Sequence, residues 1–185
     1  MKTTLNKIRE HEPCANGWKK LLTYLGKTEA DDEPLSLLTI LDSNGLNDAL
    51  WCLRAVEGYD KEIRLYAVWC ARQVQDLMTD QRSLTVLDVA ERYAHGQATG
   101  AELAIAWEAA RATARAGAWD AASVVALAAA WKDAWKAVWF AASTAANADM
   151  NATALAPRED AWSQRRLDVL DAQEKEFRRL LEKNT

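Results

Sequence analysis

The sequence predicts an all-α fold: a multi-helix bundle with helical hairpins and a tightly packed layer rich in alanine and tryptophan. Three observations predict it. Glycine and proline are scarce, with seven and three copies in 185 residues, and they fall between apolar-periodic segments, where they punctuate helices. Apolar residues recur at three- and four-residue spacing, the period of an amphipathic helix. From Ala106 onward alanine, the strongest helix former, returns at nearly every fourth position.

The elements follow in chain order. Thr3 to about His11 is a short helix candidate, closed by Pro13 and Gly17. Trp18, Leu21, Leu22 and Leu25 define the next helix, and Gly26 fits its C-terminal cap. Glu29-Ala30-Asp31-Asp32-Glu33 is an acidic loop into Pro34, and proline in a first helical turn behind acids suits a helix start. Leu35, Leu38 and Leu41 give that helix a short apolar face, and Asp42-Ser43-Asn44-Gly45 has turn chemistry. Trp51-Cys52-Leu53-Arg54 and Trp69-Cys70-Ala71-Arg72 then repeat the pattern W-C-x-R. Leu46, Leu50, Leu53 and Val56 form one stripe, and Ile63, Ala67, Cys70 and Val74 the next, so a helical hairpin around Gly58 is expected. A helix from about Ser83 to His95 ends at Gly96, and Thr99-Gly100-Ala101-Glu102 matches a capping box that starts another.

The alanine column runs through Ala106, Ala110, Ala114, Ala118, Ala122, Ala126, Ala130 and Ala134. A second column holds Trp107, Arg111, Arg115, Trp119, Ser123, Leu127, Trp131, Trp135 and Trp139. A step of four residues overshoots one helical turn by about 40°. The columns therefore spiral past several neighbours, or the chain breaks near Gly117. Trp131, Trp135 and Trp139 share one broad face. They serve either a packed helical layer, where small alanines let backbones approach, or a surface that inserts into a partner. Pro157 opens a last amphipathic helix through Trp162, Leu167, Leu170, Phe177, Leu180 and Leu181. One domain, 1–185, fits the length, with a subdivision into hairpins over 1–96 and long Ala/Trp-rich helices over 97–185.

Composition narrows the function. Half the residues are apolar, the formal net charge is -4, the isoelectric point is about 5.3 and the mean hydropathy is -0.30. This is globular composition without the basic stripe of a nucleic-acid binder. Charged residues interrupt even the Ala/Trp-rich region, so no membrane-spanning segment of about 18 apolar residues is expected. Three cysteines and no apolar leader fit reduced thiols in the cytoplasm.

Chemistry is sparse. His11 and Cys14 have ligand-like spacing, and Cys52 and Cys70 would complete a zinc set, but the latter two sit in apolar stripes where free cysteine is an ordinary core residue. His11 and His95 lie in no catalytic motif, and no glycine-rich phosphate cradle precedes a helix. No metal, cofactor or catalysis is expected. Asp31, Asp32 and Glu33 cluster as a patch for a basic partner, or as a solvated loop.

His11-Glu12-Pro13-Cys14, Gly17-Trp18-Lys19-Lys20-Leu21-Leu22, Asp32-Glu33-Pro34-Leu35 and Ser43 to Arg54 stand out as segments, joined by the tetrads and by Phe177-Arg178-Arg179-Leu180-Leu181. Together they resemble a family of immunity proteins from toxin-linked loci and from phage and prophage genomes. Val124, Val125, Val138 and Phe140 degrade the tetrads here. The resemblance implies a binding role and supplies no catalytic residues. The expectation is a non-catalytic inhibitor that neutralises a toxin or a host defence effector by stoichiometric binding. It would be an immunity protein or a phage-encoded anti-defence factor such as an anti-CRISPR, with a protein as partner and neither nucleic acid nor membrane. The alternatives are a sponge holding a small molecule or nucleotide signal between helices, with Arg111 or Arg115 engaged, and a structural homo-oligomer.

Overall fold

The computed structural model of the chain describes residues 1–73, 75, 78, 80–115 and 159–184. The tetrads beyond Arg115, with Trp131, Trp135 and Trp139, lie outside the described residues. Among the described residues the chain is mostly helical, with one two-stranded sheet. It divides into two units, Met1–Tyr59 joined by the chain from Glu176 onward, and Asp60–Lys175.

The first unit begins with an element the helical reading did not contain. Strand β1 (Lys2–Thr3) pairs antiparallel with β2 (Leu35–Ser36), Lys2 opposite Ser36 and Thr3 opposite Leu35. The buried Thr3 hydroxyl donates to the Ala55 carbonyl at 2.6 Å. Helix α1 (Leu5–Glu10) therefore starts at Thr4, whose hydroxyl accepts the Lys7 N–H. Helix α2 (Ala15–Leu25) ends at Gly26, which is left-handed at φ 65°, and Lys27 N–H closes onto Leu22 O as a C-cap of this type requires.

Helix α3 (Leu37–Asn44) does not start at Pro34. Ser36 caps it through Leu38 N–H, and the two residues after Pro34 are drawn into the sheet instead. Gly45, at φ 90° and ψ 177°, then turns the chain into α4 (Leu46–Cys52) through a conformation essentially restricted to glycine. A single 3₁₀ turn, Leu53–Ala55, follows α4, and Leu53 is buried as Leu46 and Leu50 are. Leu5, Ile8, Leu37, Ile40 and Leu41 form this unit's buried core with Phe177 and Leu181 of the final helix, α8 (Glu159–Lys183). Arg178 pairs with Asp42 at 2.8 Å.

The second unit contains α5 (Asp60–Arg72), α6 (Gln81–Ala94) and α7 (Gly100–Arg115), with α6 packed against both others. The two W-C-x-R segments fall in different units: in the first α4 packs on α3, and in the second α5 packs on α6. Each cysteine of the repeat nevertheless occupies the expected core position, Cys52 and Cys70 both being buried. Arg72 ties α5 to α6 through Asp88 at 2.9 Å and Glu91 at 2.5 Å. The Tyr66 hydroxyl donates to Gln173 O of α8 at 2.9 Å. The capping box forms as read: Thr99 N–H reaches the Glu102 carboxylate at 2.7 Å and Glu102 N–H returns to the Thr99 hydroxyl at 3.2 Å. Helices α6 and α7 pack together across Gly96. Of the alanine column, Ala106 and Ala110 are buried, as a close-packed helix face demands.

Candidate functional site

The first unit holds a cavity of about 120 Å³, partly open to solvent. Its deep wall is aliphatic, from the buried Ile8 of α1, Leu21 of α2 and Ile40 of α3. Half-buried Trp18 and Trp51 form the sides, on α2 and α4. Pro13, Cys14, Gly17, Asn44, Asp48 and Cys52 complete the lining.

The polar end follows from helix geometry. Asn44 closes α3 and Asp48 lies in the first turn of α4, so the sharp turn at Gly45 brings the two side chains together. Asn44 spends both amide protons there. One goes to Asp48 Oδ2 at 2.8 Å and the other to the Gly17 carbonyl at 2.9 Å. The Asn44 Oδ1 accepts from the Ser43 hydroxyl at 2.8 Å. This chain of bonds fastens α2 to the α3–α4 corner. Cys14 caps α2, its Sγ accepting the Gly17 N–H at 3.4 Å. A Cβ on Gly17 would lie 2.8 Å from Asp48 Oδ2 and 3.2 Å from Cys14 Sγ. Glycine at this position therefore lets a carboxylate and a thiol approach the same stretch of backbone.

Asp48 is half-buried, accepts one hydrogen bond, and has no ion pair among the described residues. The nearby Arg54 is committed elsewhere: its guanidinium lies 4.4 Å from the Trp51 ring centroid and donates to Trp51 O at 2.9 Å. The Cys52 thiol is pushed up to about 12 by burial, with the Asp48 charge adding to the rise and Arg54 opposing it. Cys52 is therefore a neutral wall of the cavity at neutral pH. Cys14 is exposed. Among the described residues no three His, Cys, Asp or Glu side chains gather as a metal site.

The acidic loop takes a different form from the cavity. Lys27 donates to Asp31 at 2.5 Å and to Glu33 at 2.6 Å. The hydrogen bond from Lys27 holds the Asp31 carboxyl below its ordinary range. Asp31 also organises the loop's backbone, its Oδ1 accepting Glu33 N–H and its carbonyl accepting Asn6 N–H. Asp32 is exposed.

A second cavity of about 340 Å³ lies within the second unit, lined by Arg64, Tyr93, Gly100, Leu103, Ala104, Trp107 and Glu108. Arg64 stacks on Tyr93 at 4.9 Å and Arg111 on Trp107 at 4.8 Å. Burial lowers the Arg64 guanidinium's affinity for its proton, while Arg111 is paired with Glu108 at 2.9 Å.

Sequence reasoning missed Asp48, which reads as an ordinary first-turn acid. The available signal was Asn44 and Asp48 four positions apart around a glycine, with another glycine in α2. No family model matches the chain, and no significant match is found among curated proteins or solved structures. No helix among the described residues is long and apolar enough to cross a membrane.

Proposed function

We propose that this protein is a non-catalytic inhibitor that binds a protein target, a toxin or a defence effector, in stoichiometric fashion and receives one of the target's side chains in the first unit's cavity. The observation that carries this reading is the cavity's composition: tryptophan walls, an aliphatic base and a single carboxylate, at the size of one side chain. Pockets of this kind receive the few anchor residues that dominate a protein interface. The segments that carry the immunity-protein resemblance supply most of this lining, with Pro13 and Cys14, Gly17, Trp18 and Leu21, and Asn44, Asp48, Trp51 and Cys52 all present.

The test is capture from the natural host with tagged wild type and tagged Asp48→Arg, which places a large cation at the mouth of the cavity. A one-to-one partner on wild type that is lost from a folded Asp48→Arg supports the reading. No stoichiometric partner on wild type would count against it.

The second unit's cavity favours a second reading, a sponge for a planar anionic small molecule. Two aromatic side chains, each stacked with an arginine, suit stacking and charge recognition together. A nucleotide panel in a thermal-shift assay tests it, because a ligand of the native state raises the melting temperature.

A further inference from the structure

We infer that the first unit's cavity is a receptor for an alkylammonium group, the side chain of a lysine on the protein partner, with its methylene stem between Trp18, Trp51 and the aliphatic base and its ammonium on Asp48. The inference rests on the protein-binding reading above and specifies its chemistry.

Size comes first. A cavity of about 120 Å³ is close to the roughly 150 Å³ of an engineered core cavity that holds one benzene molecule. It takes one side chain and excludes a folded segment.

The walls select an apolar stem. Ile8, Leu21 and Ile40 are buried beneath the opening, and Trp18 and Trp51 flank it. A lysine stem can cover apolar surface while its charged head reaches a polar end.

The polar end selects the charge. An ionised carboxylate offers about four acceptor positions, and among the described residues Asp48 uses one, for Asn44. A neutral apolar occupant would leave that half-buried charge further desolvated and uncompensated. An anionic occupant would add repulsion. A cation satisfies the remaining lone pairs and also gains from the indole faces. No protein cation among the described residues supplies this contact, since Arg54 is held on the Trp51 ring and its carbonyl.

Geometry favours an ammonium over a guanidinium. The planar guanidinium fork is matched to two free carboxylate oxygens, whereas Asp48 Oδ2 is fixed on the Asn44 amide. A compact ammonium needs only the other oxygen.

The test uses the full-length protein and n-butylammonium as the probe, with n-butanol as a neutral control, butyrate as an anionic one and n-propylguanidinium as the arginine analogue. Backbone amide shifts of Gly17, Trp18 and Asp48 are followed by NMR. Butylammonium is expected to shift them saturably, and at least tenfold more tightly than butanol, butyrate or propylguanidinium. In Asp48→Asn, which retains an acceptor for the Asn44 amide, the affinity is expected to fall at least tenfold with the spectrum otherwise folded. Equal binding of butanol and butylammonium, tighter propylguanidinium, or an unchanged affinity in Asp48→Asn would each overturn the inference. A partner captured equally by wild type and Asp48→Arg, with no butylammonium binding, would overturn the receptor and leave the protein-binding reading standing. Butylammonium binding that depends on Asp48 supports the receptor independently of the capture experiment.

Discussion

Gly17→Ala is the substitution whose sign the structure determines against the usual rule. In a helix, glycine is worse than alanine by roughly 0.5–1 kcal/mol, so the replacement ordinarily stabilises. Here the new Cβ would lie 2.8 Å from Asp48 Oδ2 and 3.2 Å from Cys14 Sγ. The carboxylate cannot retreat without loss, because Oδ2 holds the Asn44 amide at 2.8 Å and the same amide holds Gly17 O at 2.9 Å. A hydrogen bond to a charged group contributes about 1.5–3 kcal/mol. Half-exposure of Asp48 brings this to about 1–2 kcal/mol, screened as a partly solvated charge is. The net expectation is that the usual gain is cancelled or reversed, with destabilisation of about 0–1.5 kcal/mol, or a melting temperature lower by up to roughly 6 °C for a chain of this size. The assay is denaturant unfolding of wild type, Gly17→Ala, Asp48→Ala and the double variant. With Asp48 truncated the closer contact is gone and only Cys14 Sγ at 3.2 Å remains, so Gly17→Ala becomes less destabilising, neutral or stabilising in that background. The coupling between the two sites is then read directly from the cycle. An equal effect of Gly17→Ala in both backgrounds, or a full helix-propensity gain in wild type, would refute the steric reasoning.

Two further outcomes follow from the described contacts. The Glu102 carboxyl is held below its ordinary value of 4.5 by the Thr99 N–H and hydroxyl. A depressed carboxyl contributes stability above its unfolded pKa and loses it as pH falls through the folded one. The melting-temperature gap between wild type and Thr99→Ala should therefore be wider at pH 6 than at pH 3; a gap that widens on acidification would contradict the assignment. Cys14 is exposed while Cys52 and Cys70 are buried. A disulfide reagent should titrate one thiol quickly in the native protein, all three in denaturant, and none quickly in native Cys14→Ser.

Local signals were legible in the sequence and tertiary ones were not. The capping box at Thr99 and Glu102, the Gly26 cap and the core placement of Cys52 and Cys70 each depend on a few neighbouring residues, and each is present. Ser36 shows where competition between local signals misleads. Pro34 behind an acidic run suggests a helix start, but Leu35 and Ser36 pair with Lys2 and Thr3, some 30 residues away, and the serine becomes the cap. The W-C-x-R repeat reported packing positions correctly, Cys52 and Cys70 both being buried, because apolar spacing identifies a buried face without naming its partner. Asp48 was invisible for the same reason. Its significance comes from Gly17 and Asn44, and only the folded α2–α3–α4 corner brings those residues to it.

The same distinction separates the two acidic features as recognition elements. In the loop, Lys27 pairs with Asp31 and Glu33 from within, one cation against two carboxylates, and Glu33 is 76 % exposed. A further cation arriving there meets exposed carboxylates in high dielectric, where a pair at 4 Å gains only about 1 kcal/mol, reduced again by salt. At Asp48 the carboxylate has no ion pair among the described residues and stands against indole and aliphatic walls. At an effective dielectric near 20 the same pair gains about 4 kcal/mol before desolvation is subtracted, and salt screens it less. Binding centred on Asp48 should therefore weaken only slightly between 50 and roughly 200 mM salt and should survive Asp31→Lys/Asp32→Lys in a folded variant. Binding centred on the loop should show the reverse, a steep salt dependence and loss on charge reversal. Measuring partner affinity for the two variants across that salt range assigns the recognition to one feature or the other, and a steep slope abolished by the loop substitutions would remove the cavity from the interface.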